Sequence, residues 1–176
     1  MNILDSLKEV TGIGEDNKKK AVVNAVEDMD ILEKLKQEHE EAISLLKRMV
    51  DSGSGAERKG LLKKIKSALV PHLRAEEKVV YDAILGLKDK QIKQDGNEGY
   101  LEHGLGDKML STLSKIQNAM SPEFSAASKV LKELVEHHIK EEEKDIWSDV
   151  KKHFSSDQRI EMNRRFEAAK KKIMVS

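Results

Sequence analysis

The 176-residue sequence contains no cysteine, only two prolines and few aromatic residues, namely three Phe, two Tyr and one Trp. Without cysteine the chain has no disulfide, no cysteine-bound zinc or iron–sulfur cluster and no thiol nucleophile. No apolar run approaches the roughly 20 residues that a membrane span requires. The first residues also lack the basic flank and apolar core of a signal peptide. We therefore expect a cytoplasmic protein without a membrane partner.

The sequence also has no excess of either charge, because 32 basic residues face 32 acidic residues. A protein that holds nucleic acid usually needs a basic surplus to replace the counterions on the phosphates. The charge balance predicts a chain without a nucleic-acid partner. The 38% of hydrophobic residues is enough to bury a core in a chain of this length.

What the sequence does contain is an abundance of Lys, Glu, Leu and Ala, which favours helices. No run alternates apolar and polar residues with β-branched enrichment, so no sheet is predicted. Turn and capping signals divide the chain around a Gly/Ser turn at 51–55, a longer loop at 86–99 and a capped start at Ser121-Pro122. The helices predicted between these signals span 17–51, 56–86, 98–119, 122–152 and about 155–174.

These segments predict an all-α protein, an up-down-up-down four-helix bundle with short extra helices at both ends. The predicted organisation is an N-terminal amphipathic segment at 1–16, the bundle at 17–152 and a C-terminal helix at 153–176. That last helix, which a Ser155–Gln158 capping box opens, would pack on the bundle or on a partner protein. Either terminal helix is also a candidate surface for a homodimer.

Four histidines and two glutamates fall on the apolar seams of the four predicted bundle helices, at positions three and four apart. The second and fourth helices each add a glutamate one turn after the histidine. Burying such groups in an apolar core costs several kcal/mol unless something compensates them. One bound metal centre would compensate all six at once, and the histidines lie at similar distances from the turns. The predicted ligands are His39, His72, Glu76, His103, His138 and Glu142.

An internal repeat supports this prediction, since residues 72–81 align without gaps with residues 138–147. Four of the ten positions are identical (His, Glu, Glu and Lys), and four more are conservative. The pair Glu38-His39 and the pair Glu102-His103 precede these segments in the same relation. Because the identities are polar, the repeat favours two copies of a ligand-bearing hairpin over packing alone. It predicts two metal ions with one bridging glutamate from each half. Imidazole and carboxylate ligands suit Fe, Zn or Mn.

The pattern His39, His72-Leu-Arg-Ala-Glu76, His103, His138-Ile-Lys-Glu-Glu142 resembles the hemerythrin HHE cation-binding domain of the bacterial non-heme type. The resemblance covers about residues 30–150. It implies a di-iron centre with a bridging oxo or hydroxo group that binds or reduces O₂, peroxide or NO. It also implies a role in oxidative or nitrosative stress or in oxygen or iron handling. Whether such a chain is an enzyme is left open.

The sequence departs from the oxygen-carrying hemerythrins of marine worms, in which a fifth histidine lies one turn after the third-helix ligand. Asp107 takes that place here, either as a further ligand or as an outer carboxylate. The bacterial proteins that repair iron centres carry a cysteine-containing N-terminal segment, which this chain lacks. Two alternatives remain, a non-catalytic metal-dependent sensor or interaction module and a structural zinc or mononuclear site.

Other polar residues near the seam are weaker candidates. His137 and His153 are predicted to lie on the surface. Glu77, Glu141 and Glu143 compete with the chosen glutamates, but the repeat favours Glu76 and Glu142. Tyr100, one turn before His103, is a candidate either to overhang an open metal position or to pack in the core.

Overall fold

The computed structural model describes residues 28–175, and these residues form helices and short turns, with no strand among them. The predicted all-α class is confirmed. The N-terminal segment at 1–16 and the first part of the predicted 17–51 helix lie outside the described residues. The helices are α1 (Ile31–Asp51), α2 (Gly55–Glu76), α3 (Asp82–Leu85), α4 (Lys90–Lys115), α5 (Pro122–Glu141), α6 (Trp147–His153) and α7 (Ser156–Lys170).

Two π-helical turns interrupt what are otherwise long helices. Residues Glu77–Tyr81 join α2 to α3, and residues Glu142–Ile146 join α5 to α6. The second and fourth bundle helices are thus each an α–π–α unit. α1 packs against α2 and α5, and α4 packs against α5 and α2. With short turns between them, the four form the predicted up-down-up-down bundle.

Side-chain caps set the helix starts. Asp30 and Asp89 each accept a hydrogen bond from a backbone N–H of the turn that follows, and Ser54, Ser121 and Ser155 do the same for their helices. The predicted capping box of Ser155 and Gln158 is present. Because residues 28–30 are not helical, the described part of the predicted 17–51 helix begins at Ile31.

The prediction of a loop over 86–99 is wrong, because the third bundle helix begins at Lys90. Asp89 caps it, and Gly96 and Gly99 lie inside it. Both glycines face neighbouring side chains so closely that a Cβ atom on Gly96 would lie 3.2 Å from Ile84, and one on Gly99 would lie 2.7 Å from the ring of Tyr81. They are there for close packing and do not form a turn.

The core consists of two apolar clusters at different heights in the bundle. The lower cluster lies near the α1–α2 and α4–α5 turns and includes Leu46, Met49, Ile65, Leu113, Phe124 and Leu131. The upper cluster lies at the other end and includes Leu35, Val79, Tyr81, Ile146, Trp147 and Phe166. The predicted metal ligands lie where the two clusters meet along each helix.

A buried arginine links the two turns at the lower end. Arg58 donates hydrogen bonds to the carbonyl oxygens of Ser52 (2.8 Å) and Val50 (3.3 Å) at the C-terminal end of α1. It also donates to the carbonyl of Ala119 (3.0 Å) and the hydroxyl of Ser125 (2.9 Å) on the other hairpin. One guanidinium group thus satisfies backbone groups from both hairpins.

α7 folds back over α1 and α2 at the upper end. Phe166 is fully buried in the upper cluster, and Arg159 binds Asp30 at 2.7 Å. Lys170 donates to Glu38 on α1. The described part of the C-terminal segment therefore packs on its own bundle. Within residues 28–175 no helix combines the length and apolar character that crossing a bilayer would require.

Candidate metal centre

The four seam histidines, one from each bundle helix, meet in the interior. Each is 2–7% exposed. The rings of His39 and His72 lie 5.1 Å apart between their centroids, and those of His103 and His138 lie 4.8 Å apart. The Nε2 atoms of His103 and His138 are 3.1 Å from each other. The structure thus pairs the histidines by hairpin.

Glu76 and Glu142 lie between these two pairs and are 0% and 1% exposed. Oε2 of Glu76 lies 3.5 Å from Nε2 of His72 and 3.4 Å from Nε2 of His103. Oε2 of Glu142 lies 3.5 Å from Nε2 of His39 and 3.7 Å from Nε2 of His138. Each glutamate therefore contacts one histidine of each pair, as a bridging carboxylate would.

Two groups of donor atoms follow from this arrangement. The first group consists of His39, His72 and Glu76, and the second group consists of Glu76, His103 and His138. In each group the donor atoms lie within 4.8 Å of one another. Both groups are buried and share Glu76. Glu142 is in neither group, but it lies 3.5 Å from His39 and 3.7 Å from His138, so the structure brings together all six side chains that the sequence predicts as ligands.

The π turns begin at these glutamates. One starts directly after Glu76, and the other starts at Glu142 itself. A π turn adds a residue to the helical repeat, so it changes which side chains face inward beyond it, and such turns are frequent at functional sites. The only sequence feature that coincides with them is the repeat, since both turns lie within the segments 72–81 and 138–147.

A second set of four glutamates surrounds the histidines and binds their outer nitrogens. The Nδ1–carboxylate distances are 3.1 Å for His39–Glu143, 3.1 Å for His72–Glu38, 3.1 Å for His103–Glu77 and 2.7 Å for His138–Glu102. An Nδ1–H that donates to a carboxylate leaves the Nε2 lone pair free and aimed at the centre. Each imidazole is therefore oriented for binding a cation.

The outer glutamates explain the polar identities of the repeat. In each Glu-His pair the glutamate binds a histidine of its own hairpin. In each Glu-Glu pair the second carboxylate binds a histidine of the other hairpin. Glu77 and Glu143, which are rival ligands by sequence, thus take this outer position. The roles of Glu38 and Glu102 are not predicted from the sequence, although their place in the repeat is the available signal.

Burial and mutual repulsion govern the protonation of the two inner glutamates. Burial raises the pKa of Glu142 well above its usual range, and the negative charge of Glu76 raises it further. Burial opposes ionisation of Glu76 too, but the charges of His72 and His103 outweigh it and lower the pKa of that carboxyl. Burial and the neighbouring charges thus shift the pKa values of the two carboxyls in opposite directions.

Several buried polar atoms at the centre have no hydrogen-bond partner in the described part of the chain, so they are available to bind a cation. Both carboxylate oxygens of Glu76, both of Glu142 and Nε2 of His39 have no hydrogen-bond partner among the described residues. Unpaired buried carboxylates of this kind are rare and costly. Four imidazoles and two carboxylates form a donor set that suits Fe, Zn or Mn, so the residues fit the predicted metals.

Asp107 does not join this group. It pairs with Arg74, which in turn pairs with Glu77, the outer partner of His103. Of the two roles open to Asp107 in the sequence, the structure favours that of an outer carboxylate. His137 and His153 are exposed, as predicted.

Of the two roles open to Tyr100, the structure favours packing, since the residue lies against the upper cluster and its hydroxyl oxygen is 2.8 Å from Oδ1 of Asp82 and 3.1 Å from the carbonyl oxygen of Glu77. Tyr81 lies at the centre instead. Its hydroxyl oxygen is 3.4 Å from Nε2 of His103 and 3.5 Å from Nε2 of His138. The equivalent residue of the other repeat, Trp147, stacks on His39 with 5.9 Å between ring centroids.

A small apolar cavity of about 20 Å³ adjoins the four histidines. Its lining includes Leu69, Leu110, Val135 and Ile139 from the lower cluster. A space of this size holds about one water-sized molecule. The cavity therefore suits a small uncharged ligand and not an ionic metabolite.

Comparison with known proteins gives a family match and a distant relative. Residues 30–148 match the model of the family described as "Hemerythrin HHE cation binding domain". The chain is also 25% identical over 147 residues to a protein named "DNA nickase" from Nostoc sp. (strain PCC 7120 / SAG 25.82 / UTEX 2576). That alignment covers 84% of this chain but only 41% of the relative. No solved structure matches the chain significantly.

Proposed function

The chain belongs to the hemerythrin HHE cation-binding domain family, and from that premise we propose that it holds two iron ions that bind or reduce a small oxidant. In this proposal Glu76 and Glu142 bridge the ions. His39 and His72 complete one site, and His103 and His138 complete the other. The physiological setting that we propose is oxidative or nitrosative stress, or the handling of oxygen or iron.

The observation that carries the proposal is the set of unpartnered carboxylate oxygens on Glu76 and Glu142. Two buried carboxylates side by side repel each other, and four imidazole nitrogens facing them add no positive charge while neutral. Divalent cations would satisfy all of these donors at once. The four outer glutamates favour the same state, since a carboxylate on Nδ1 makes an imidazole a stronger ligand.

The cavity beside the histidines supports a small uncharged ligand. Iron held by these six residues would supply the chemistry for binding or reducing O₂, peroxide or NO. The chain's own contribution to that space is an apolar lining that includes Leu69, Leu110 and Val135. No described side chain at the cavity is positioned as a separate acid or base.

The test is metal analysis of the full chain expressed with iron supplied, combined with absorption spectra of the reduced protein titrated with O₂, peroxide and NO. We expect two irons per chain and spectral changes with at least one oxidant. The double variant His72→Ala/His138→Ala should lose the metal, while His137→Ala/His153→Ala, on exposed histidines, should keep it. Less than one metal per chain, or unchanged metal in the first variant, would refute the proposal.

A metal-dependent sensor is the second candidate, and one contact favours it. Oε2 of Glu38 binds His72, while its other oxygen, Oε1, accepts from Lys170 on α7. A change at the metal on His72 can thus reach α7 through one carboxylate. A sensor should show metal-dependent protease protection of residues 156–175 without catalytic turnover. An enzyme should turn over peroxide, O₂ or NO whatever the state of α7.

A nucleic-acid role rests on the printed name of the Nostoc relative, of which this chain covers about two fifths. The balanced charge opposes it. We keep the prediction of no nucleic-acid partner. Its test is incubation of iron-loaded protein with supercoiled plasmid, and conversion to open circles above the iron-only control would overturn it.

A further inference from the structure

The two halves of the proposed centre differ most at Tyr81. This residue ends the first π turn, and its ring is fully buried. Its hydroxyl oxygen and the Nε2 atoms of His103 and His138 form a nearly equilateral triangle with sides of 3.1, 3.4 and 3.5 Å. Oε2 of Glu76 lies 3.4 Å from one corner, Nε2 of His103.

The hydroxyl has no other hydrogen-bond partner among residues 28–175 than these two nitrogens. The outer nitrogens of His103 and His138 face Glu77 and Glu102, so each imidazole in its neutral form carries its lone pair on Nε2. A cation bound by those lone pairs would take away both acceptors of the hydroxyl. The phenol would then be buried beside the cation with no partner but the cation itself.

The neighbouring helix makes room for this ring. A Cβ atom on Gly99 would lie 2.7 Å from Tyr81 ring atoms and 2.8 Å from its hydroxyl oxygen. The equivalent position on α1, by the 64-residue offset that relates His39 to His103, is Leu35. The residue equivalent to Tyr81 is Trp147, whose indole offers no oxygen donor. Only the His103–His138 half thus combines a phenol with a glycine that admits it.

We propose that the Tyr81 oxygen is a seventh protein ligand, bound to the metal that His103 and His138 hold. Donor atoms around one metal at bonds of about 2.0–2.2 Å lie about 3.0–3.5 Å from one another, and the triangle has these sides. On binding, the phenol O–H bond breaks, a metal–oxygen bond forms, and the proton leaves to solvent. The inference rests on the proposed function and makes the two sites inequivalent.

An anionic oxygen ligand stabilises the higher charge of ferric iron more than that of ferrous iron. The site with Tyr81 is therefore the harder one to reduce.

The experiment compares iron-loaded, oxidised full chains of the wild type, Tyr81→Phe and the control Tyr100→Phe. Ferric iron bound to phenolate gives an intense visible charge-transfer band and phenolate vibrations in the resonance Raman spectrum. We expect both in the wild type and in Tyr100→Phe. In Tyr81→Phe both should disappear while two irons per chain remain.

A measurement on the wild type alone guards against a Tyr81→Phe chain that does not fold. Ring-deuterated tyrosine should shift the enhanced Raman bands if a tyrosine is the ligand. A wild-type protein with two irons per chain but without these bands would overturn the Tyr81 proposal alone. A Tyr81→Phe variant that differs from the wild type only in its titrations with O₂, peroxide or NO would also overturn it, because Tyr81 would then be a hydrogen-bond donor. Less than one metal per chain would overturn the proposed function as well.

Discussion

At the scale of residues, four dipeptides supply most of the carboxylates and imidazoles of the centre. Glu38-His39 and Glu102-His103 each supply an inner and an outer group, and Glu76-Glu77 and Glu142-Glu143 do the same. Neighbouring residues on a helix point about 100° apart. One member of each dipeptide therefore reaches the centre, while the other binds a histidine from the side.

Removing an outer carboxylate should weaken the proposed metal binding without unfolding the bundle. In Glu102→Ala the Nδ1 atom of His138 loses its 2.7 Å partner. We expect metal affinity, measured by chelator competition, to fall about 10–100-fold. Glu133→Ala, on the exposed face of α5, is the matched control and should leave affinity unchanged. Equal affinities in the two variants would show that Glu102 does not support a ligand.

The raised pKa of Glu142 makes the stability of the metal-free protein depend on pH. A carboxyl whose pKa is higher in the folded than in the unfolded protein contributes its full stabilisation of the fold at pH values below the unfolded-state pKa of about 4.3. This contribution is lost as the pH rises through the folded-state pKa. Burial first, and then the charge of Glu76, raise that pKa. The free energy of unfolding of metal-free protein should therefore fall as the pH rises above about 4.3.

Glu142→Gln, which carries a permanently neutral amide, should be more stable than the metal-free wild type at about pH 8 and show a flatter pH profile. Urea unfolding across this range measures both. The same variant should lose metal, because a bridging carboxylate is gone. A profile as steep as that of the wild type would mean that Glu142 is ionised in the metal-free fold.

At the scale of elements, the number and order of the bundle helices are predictable from the sequence, but not all of their ends are. Apolar periodicity and capping residues locate α1, α2, α5 and α7 well, apart from the N-terminal end of α1. The predicted third helix is too short because Gly96 and Gly99 have the composition of a turn, and their packing against Ile84 and Tyr81 is a long-range property. The π turns are not predictable, since their residues have ordinary helical propensity.

Substitution by alanine should have opposite effects on stability at a tightly packed glycine of α4 and at one in open space. Gly99→Ala forces the Tyr81 ring to move and should destabilise the protein by about 1–3 kcal/mol. Gly104→Ala has open space around the new methyl group and should stabilise it by about 0.5–1 kcal/mol. Urea unfolding of both variants measures this. A stabilising Gly99→Ala would mean that Tyr81 is not fixed against α4.

At the scale of the whole molecule, the six inner residues are predictable because each lies on a seam and the repeat specifies its register. Their surroundings are less predictable. That Tyr81 and not Tyr100 lies at the centre depends on the π turn and on the approach of α4 at Gly99. That Asp107 faces Arg74 depends on the packing of α4 against α2. Helical periodicity indicates a face but not which neighbour meets it.

The C-terminal helix should stabilise the bundle through one aromatic residue. Phe166 is fully buried and packs edge-on to His72 with 5.8 Å between ring centroids. Phe166→Ala should cost about 3–5 kcal/mol of unfolding free energy. Arg165→Ala, on the exposed side of α7, should cost little. Near-equal unfolding midpoints would indicate that α7 does not pack on the bundle in solution.

The hydrogen bonds of Arg58 connect the two hairpins at the lower end of the bundle and involve none of the proposed metal ligands. The lower cluster and this guanidinium should hold the two hairpins together even when the centre is empty. Amide hydrogens in the lower cluster, represented by Ile65 and Leu113, should then exchange slowly in metal-free protein, while those near Glu76 and Glu142 exchange faster. The metal-free chain would then be folded at its lower end before iron binds. Iron binding would order only the region of the ligands, whereas a zinc finger folds as a whole when it binds its metal.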